Sequence, residues 1–204
     1  MHLLLITALP AWLTYAFYAL VAWGVAAVLA AFRALSTGTR MSVLLRLGFG
    51  VWLVVPAYLA NAGVLSQFDA MPPMLVRVVV PMVVLIVTFS FSRAGAWAAE
   101  RLPFGLLIAV QIFRLPLEVL LHQLHGHRVL PVQMTFAGLN FDILTGASAL
   151  VLWVLHRRGG VSPSVLRMWN TIGLALLVTI VTLAVLSFPK PFGLFTPQNQ
   201  IVAY

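Results

Sequence analysis

The sequence predicts an all-α fold, a polytopic transmembrane helix bundle of about six spans, and three observations predict it. The 204 residues are 62% hydrophobic and only 8% charged, whereas a soluble domain of this size is usually about 25% charged. Several apolar runs reach spanning length, about 20 residues. The basic residues that give the net charge of +8 lie singly in short connections. That distribution fits orientation in a lipid bilayer better than a nucleic-acid partner.

The whole chain, 1–204, reads as a single transmembrane domain. The start, MHLLLITALPAWLTYAF, has no Lys or Arg before its apolar run. A cleaved signal peptide normally opens on a basic segment and has a short apolar core. The run continues to Phe32, so it predicts a retained first helix over 8–32. Ala22, Ala26, Ala30 and Ala34 form a small-residue stripe on it, suited to close packing within the bundle. Further helices are predicted over 43–66, 74–92, 104–124, 141–156 and 165–187. Pro81 and Pro116 should kink or loosen the third and fourth. The fifth is short and ends at HRRGG. Backbone groups in lipid must be paired internally, and the runs lack barrel alternation, so helices are the expected form.

The connections set the orientation. Eleven of the twelve basic residues are arginine; the exception is Lys190. Arg33, Arg40, Arg46, Arg93, Arg101, Arg157, Arg158 and Arg167 fall on one side. The positive-inside rule makes loops 33–46, 93–103 and 156–167 cytoplasmic. Loop 125–140 is then periplasmic or extracellular, and both termini face outward for six spans. The membrane is then crossed several times. Other membrane-protein partners and a homo-oligomer stay open. The chain has no cysteine, which excludes disulfides, thiolate metal sites and a cysteine nucleophile. Neither a phosphate loop, a dinucleotide fingerprint, an EF-hand nor a Ser-His-Asp set is visible, and no internal repeat or paired half-helices suggest a known transporter design.

The stretch QIFRLPLEVLLHQLHGH, 111–127, concentrates the polar chemistry. Gln111, Arg114, Glu118, His122 and His125 recur at helical spacing and share one face. Arg114 lies about 15 Å into its helix. A charge at that depth costs about 2.5–3.5 kcal/mol on insertion scales, so it should face the bundle interior or a wet cavity. Arg114 and Glu118, four apart, are close enough to pair; a structural ion pair and a functional site are nearly even readings. Asn140 is placed to cap the fifth helix, with Asp142 in its first turn. Asp142 also falls at the depth of His122. A functional reading joins Arg114, Glu118, His122, Asn140 and Asp142 in an outward-facing site for a small polar ligand, ion or proton. A second reading uses Glu118, His122, His125 and Asp142 as ligands of a divalent metal or as groups of a membrane enzyme. Interfacial histidines bonded to water and loop backbone are a simpler account of His122, His125 and His127. A third reading is an accessory or structural subunit. Tyr15, Tyr18, Tyr58, Trp169 and Asn170 read as anchors and packing residues.

FRLPLEVLLHQL, PVQMTFAGLNFDILTG and MWNTIGLALLVTIVTLAVLSFPKPF resemble a family of uncharacterised bacterial multi-pass integral membrane proteins. The resemblance covers 111–199. It draws attention to Arg114, Pro116, Glu118, His122, Gln133, Thr135, Gly138, Asn140, Asp142, Thr145 and Gly146. It also implies a seventh helix beyond PQNQIVAY and hence a shortened member, with a cytoplasmic C-terminus in the longer form.

Overall fold

A computed structural model describes residues 9–35, 40–66 and 74–187. His2, Lys190 and the segment ending in PQNQIVAY lie outside the described residues. Every regular element among those described is helical. Four helices are long and apolar enough to cross a membrane, and a fifth is added if one bent pair counts as a single span. Six were expected. The difference comes from the third and fifth helices, Met74–Ser90 and Asp142–Arg157, whose 17 and 16 residues fall short of a span; the fifth has the short length expected of it.

The chain divides into two compact units. One contains the last part of α1 (Ala11–Ala34), then α2 (Arg40–Asn61), α3 (Met74–Ser90) and α4 (Arg93–Arg101). The predicted second helix, 43–66, stops at Asn61 and gives way to a 3₁₀ turn at Val64–Ser66. The predicted third helix ends at Ser90, and what was expected as loop 93–103 is mostly α4. The two helices bend by 71°. Ser92 makes the corner, its Oγ accepting from the Gly95 amide at 3.1 Å. That bond satisfies one of the free N–H groups at a helix start. RAGAWAAER carries arginine at both ends and Glu100, so α4 is not an apolar continuation of α3.

The other unit contains the first part of α1 with α5 (Phe104–Gln111), α6 (Arg114–Gly126), α7 (Asp142–Arg157) and α8 (Pro163–Leu186). Together α5 and α6 are the predicted fourth helix, broken once at 112–113. Proline is the cause. Pro116 has no N–H to give to Ile112 O, and its ring crowds that carbonyl. The chain tightens instead: Ile112, Phe113 and Leu115 donate to carbonyls three residues back, at 3.2, 3.3 and 3.1 Å. The helix resumes facing the same way, so the polar stripe survives the break.

α7 is 16 residues long, about 24 Å, and runs antiparallel beside α5 and the start of α6. Its far end places His156 against Gly105. Its near end does not begin where α6 finishes. Between them, residues 127–141 fold back along α6 around a 3₁₀ turn at Val132–Met134. Gln133 donates to Ser187 Oγ at 3.2 Å at the far end of α8, while Thr145, at the start of α7, meets Gly173 in the middle of α8. The fourteen residues from Gly173 to Ser187 rise about 21 Å. The fold-back therefore occupies the depth that α8 crosses with its second half. Gly138 makes this possible: a Cβ there would lie 2.3 Å from Val132 O. Thr135 is fully buried and holds the turn, donating to Val132 O at 2.9 Å and accepting from the Ala137 amide at 3.3 Å.

α6 ends at Gly126 with His127 as its C-cap, and Arg128 follows at φ 62°. The amide of Val129 reaches back to Leu124 O at 3.0 Å, closing the helix in the form that ordinarily takes glycine. An L side chain there costs about 1–2 kcal/mol. Arg128→Gly is expected to raise thermal stability in detergent, by up to about 1 kcal/mol once the unfolded chain's added freedom is counted. A lowered melting temperature would show that the Arg128 side chain holds the loop by contacts that outweigh its backbone strain.

Apolar surface dominates the outside. Leu85, Val84, Val54, Leu44 and Leu174 are exposed, and few apolar side chains are buried. Monomeric soluble proteins rarely show so much contiguous apolar surface; helices facing lipid do.

Candidate functional site

The fold-back and the helix break meet at one cluster. Arg114 opens α6 immediately after the break, and Asp142 opens α7 immediately after the fold-back. Arg114 Nη1 donates to Asp142 Oδ2, and both residues are buried. Arg114 Nε donates to Gln111 Oε1 at 2.7 Å. One turn further along α6, Glu118 is 1% exposed, and Asn140 Nδ2 donates to both of its carboxylate oxygens at 2.8 Å. Asn140 Nδ2 also reaches Met134 O at 3.1 Å, and Asn140 Oδ1 accepts from the Asp142 amide at 3.1 Å. Asn140 was expected as the N-cap of α7; the N-cap position is Phe141, without a side-chain cap bond, and Asn140 accepts from the Asp142 amide from one residue further out. The same side chain ties the fold-back to α6 and starts α7.

Packing fixes the approach of the two helices. A Cβ on Gly146 would stand 2.4 Å from Leu115 N and 3.0 Å from Arg114 C. Only glycine lets the α7 backbone come so near, and Asp142, four residues earlier, lies on the same face. Gly146 thus sets the reach between Asp142 and Arg114.

Three expectations change. Arg114 does not pair with Glu118 on its own helix; its partner is Asp142 on α7. Spacing of four residues allows a pair, but the guanidinium reaches across the gap that Gly146 leaves. Asp142 stands at the level of Arg114, two helical turns from the level of His122, because the fold-back carries the chain inward before α7 begins. The metal set His122, His125, Glu118 and Asp142 does not converge: among the described residues no three His, Cys, Asp or Glu side chains are grouped to hold a metal ion. Asp142 is turned to Arg114 and Glu118 to Asn140. His125 Nδ1 lies 3.0 Å from Leu130 O. His122 stacks on Phe136 with ring centres 4.5 Å apart, and its ring centre is 6.4 Å from that of His125.

Of the ligand-site candidates, Arg114, Glu118, Asn140 and Asp142 form one buried network, and His122 lies beyond it. Two buried atoms, Asp142 Oδ1 and His122 Nδ1, have no hydrogen-bond partner among the described residues. An unpaired buried polar atom is costly, and native structures carry few. Charge does not balance either. Two carboxylates face one guanidinium, so the network is neutral only with one further positive charge, a proton or a small cation.

The stripe also opens where sequence reasoning did not look. A cavity of about 150 Å³ is lined by Gln111, Arg114, Thr145, Trp169, Asn170 and neighbours on α8. A larger one, about 360 Å³, adjoins it through Gln111, Trp169 and Asn170 and reaches Phe104, Leu107 and Leu166. The larger lies toward the ends of α5 and α8 that carry Phe104 and Pro163, the smaller lies deeper, beside the middle of α8, and neither is lined by the fold-back. Trp169 and Asn170 read as anchoring residues in the sequence because they sit near a helix start. Trp169 Nε1 is fixed by Ser148 Oγ at 2.8 Å. Ser187, which holds Gln133, carries no sequence signal.

Comparison of the chain with known protein families, with curated proteins and with solved structures gives no match.

Proposed function

We propose that the protein crosses a bacterial cytoplasmic membrane several times and binds, and moves, a proton or small cation at the Arg114–Asp142 and Glu118–Asn140 network. One observation carries this reading: a broken helix and a fold-back meet at a buried group of charges that lacks one positive charge. Non-helical backbone at membrane depth is tolerated only where it is buried in protein or lines a wet cavity. Broken helices at mid-membrane are the usual frame of ion and substrate sites in transporters, and buried ionisable groups mark such pathways. His122, with Nδ1 unpaired, lies on the fold-back side of the network and is the next group a proton would meet. The arginine-rich ends at Arg157, Arg158 and Arg167 are assigned to the cytoplasm, which puts the fold-back on the outer side and the two cavities on the inner side.

Glu118→Gln tests it. The amide preserves shape and can still accept from Asn140 but cannot gain or lose a proton. In proteoliposomes with a trapped pH-sensitive dye, wild type should relax an imposed pH step faster than protein-free vesicles. Glu118→Gln should return the rate to background with an unchanged melting temperature. Variant flux equal to wild type would contradict the proposal. Unfolding of both Glu118→Gln and Asp142→Asn, with no wild-type flux, would favour the structural reading.

A further inference from the structure

We propose that the two adjoining cavities between α5, α7 and α8 form one binding site for a small amphipathic anion, with a carboxylate or phosphate head and a compact apolar body. The inference rests on Arg114 belonging to a functional site, as proposed above, and adds the ligand class and the side of entry.

The larger cavity falls within the size range of small-molecule sites, about 300–1,000 Å³. Its walls are mainly apolar: Phe104, Leu107, Ile108 and Leu166 face it. The smaller cavity continues it toward Arg114. An apolar chamber with a few convergent polar groups at one end is the usual form of such sites.

Those polar groups are donors. Arg114 spends Nε on Gln111 and Nη1 on Asp142; Nη2 has no hydrogen-bond partner among the described residues, and Arg114 lines the cavity. Gln111 uses its oxygen for Arg114, which leaves its amide NH₂ for a ligand. The Asn170 side chain makes no hydrogen bond among the described residues, although it sits seven residues into α8, about 10 Å along the helix. Asn170 is exposed and lines both cavities, so its amide is free to donate to a bound head group. Arg167 stands at the wide end and adds positive potential at the entrance, where it would draw in anions. Among the described residues no Asp or Glu lines either cavity. With the network neutralised by the proton or cation proposed above, the head lies against Arg114, Gln111 and Asn170, and the apolar body fills the chamber toward Phe104. Guanidinium suits both carboxylate and phosphate oxygens.

The test is titration calorimetry of the full chain in lipid nanodiscs, with empty nanodiscs subtracted, using octanoate, octyl phosphate and octanol. One saturable site per chain is expected for octanoate or octyl phosphate, with octanol at least tenfold weaker. The tighter of the two anions identifies the head. Leu107→Trp, which fills the chamber, and Asn170→Leu, which removes a donor, should each weaken binding at least tenfold at an unchanged melting temperature. Equal binding of octanol and both anions, or wild-type binding by Leu107→Trp, would overturn the proposal. If that happens while Glu118→Gln still abolishes proton flux, the ligand class fails and the proton site stands. If anion binding behaves as expected while Glu118→Gln conducts normally, the proton reading fails and the anion site stands.

Discussion

Arg114→Met is expected to lower stability by about 3–5 kcal/mol, the loss typical of a buried ion pair broken on one side. The cost comes from what remains. Asp142 is 4% exposed, and without the guanidinium its charge has only the Asn140–Asp142 turn beside it. Gln111 Oε1 loses its donor as well. Removing both charges should be milder, because a buried pair replaced by apolar side chains is often neutral. Arg114→Met with Asp142→Leu should therefore recover most of the loss. Thermal unfolding of the four proteins of this cycle in one detergent measures it. A double variant as unstable as the single one would mean that Arg114 acts through packing rather than through its pairing with Asp142.

The second large effect is at Gly146. Gly146→Ala places a methyl 2.4 Å from the Leu115 amide nitrogen. That neighbour is backbone and cannot rotate away. Overpacking of this kind costs about 1–3 kcal/mol, occasionally more, and Gly146→Val should exceed Gly146→Ala. The displacement has a chemical consequence, because α7 must move off α6 and carry Asp142 away from Arg114. Gly146→Ala should thus lose proton flux out of proportion to its loss of stability. An alanine variant with wild-type stability and flux would show that the two helices do not approach as closely as described.

How far the sequence speaks can be judged from these residues. The polar face of the fourth helix was legible, since spacings of three and four residues put Gln111, Arg114, Glu118 and His122 on one side. The break was legible from Pro116. Asn140 was recognisable as a residue at a helix start, but the N-cap is Phe141 and the Asn140 side-chain amide goes to Glu118 on α6. Partners across the bundle were not legible. Periodicity names the neighbours of Arg114 on its own helix and says nothing of the helix opposite. Depth failed for a related reason. Counting residues from a predicted helix end puts Asp142 level with His122, because such a count keeps the connection outside the bundle. Thr135 and Gly138 pair their polar groups locally and Asn140 pairs with Glu118 on α6, which lets the connection fold inward. The shortness of the fifth helix was the one sign of this, since 16 residues leave part of a span to be crossed by something else. The end of the third helix was legible near its observed position, but the charges of RAGAWAAER read as a connecting loop, and only Ser92 at the corner marks the start of a second helix.

The central claim is that the network holds one exchangeable positive charge, and infrared difference spectroscopy addresses it most directly. Spectra of the protein in nanodiscs, recorded through a pH titration in water and in D₂O, report the C=O stretch of any buried carboxyl that gains or loses a proton. The account predicts a titrating buried-carboxyl band in wild type that disappears in Glu118→Gln or in Asp142→Asn. A wild-type spectrum without such a band, or one that persists in both variants, would contradict it.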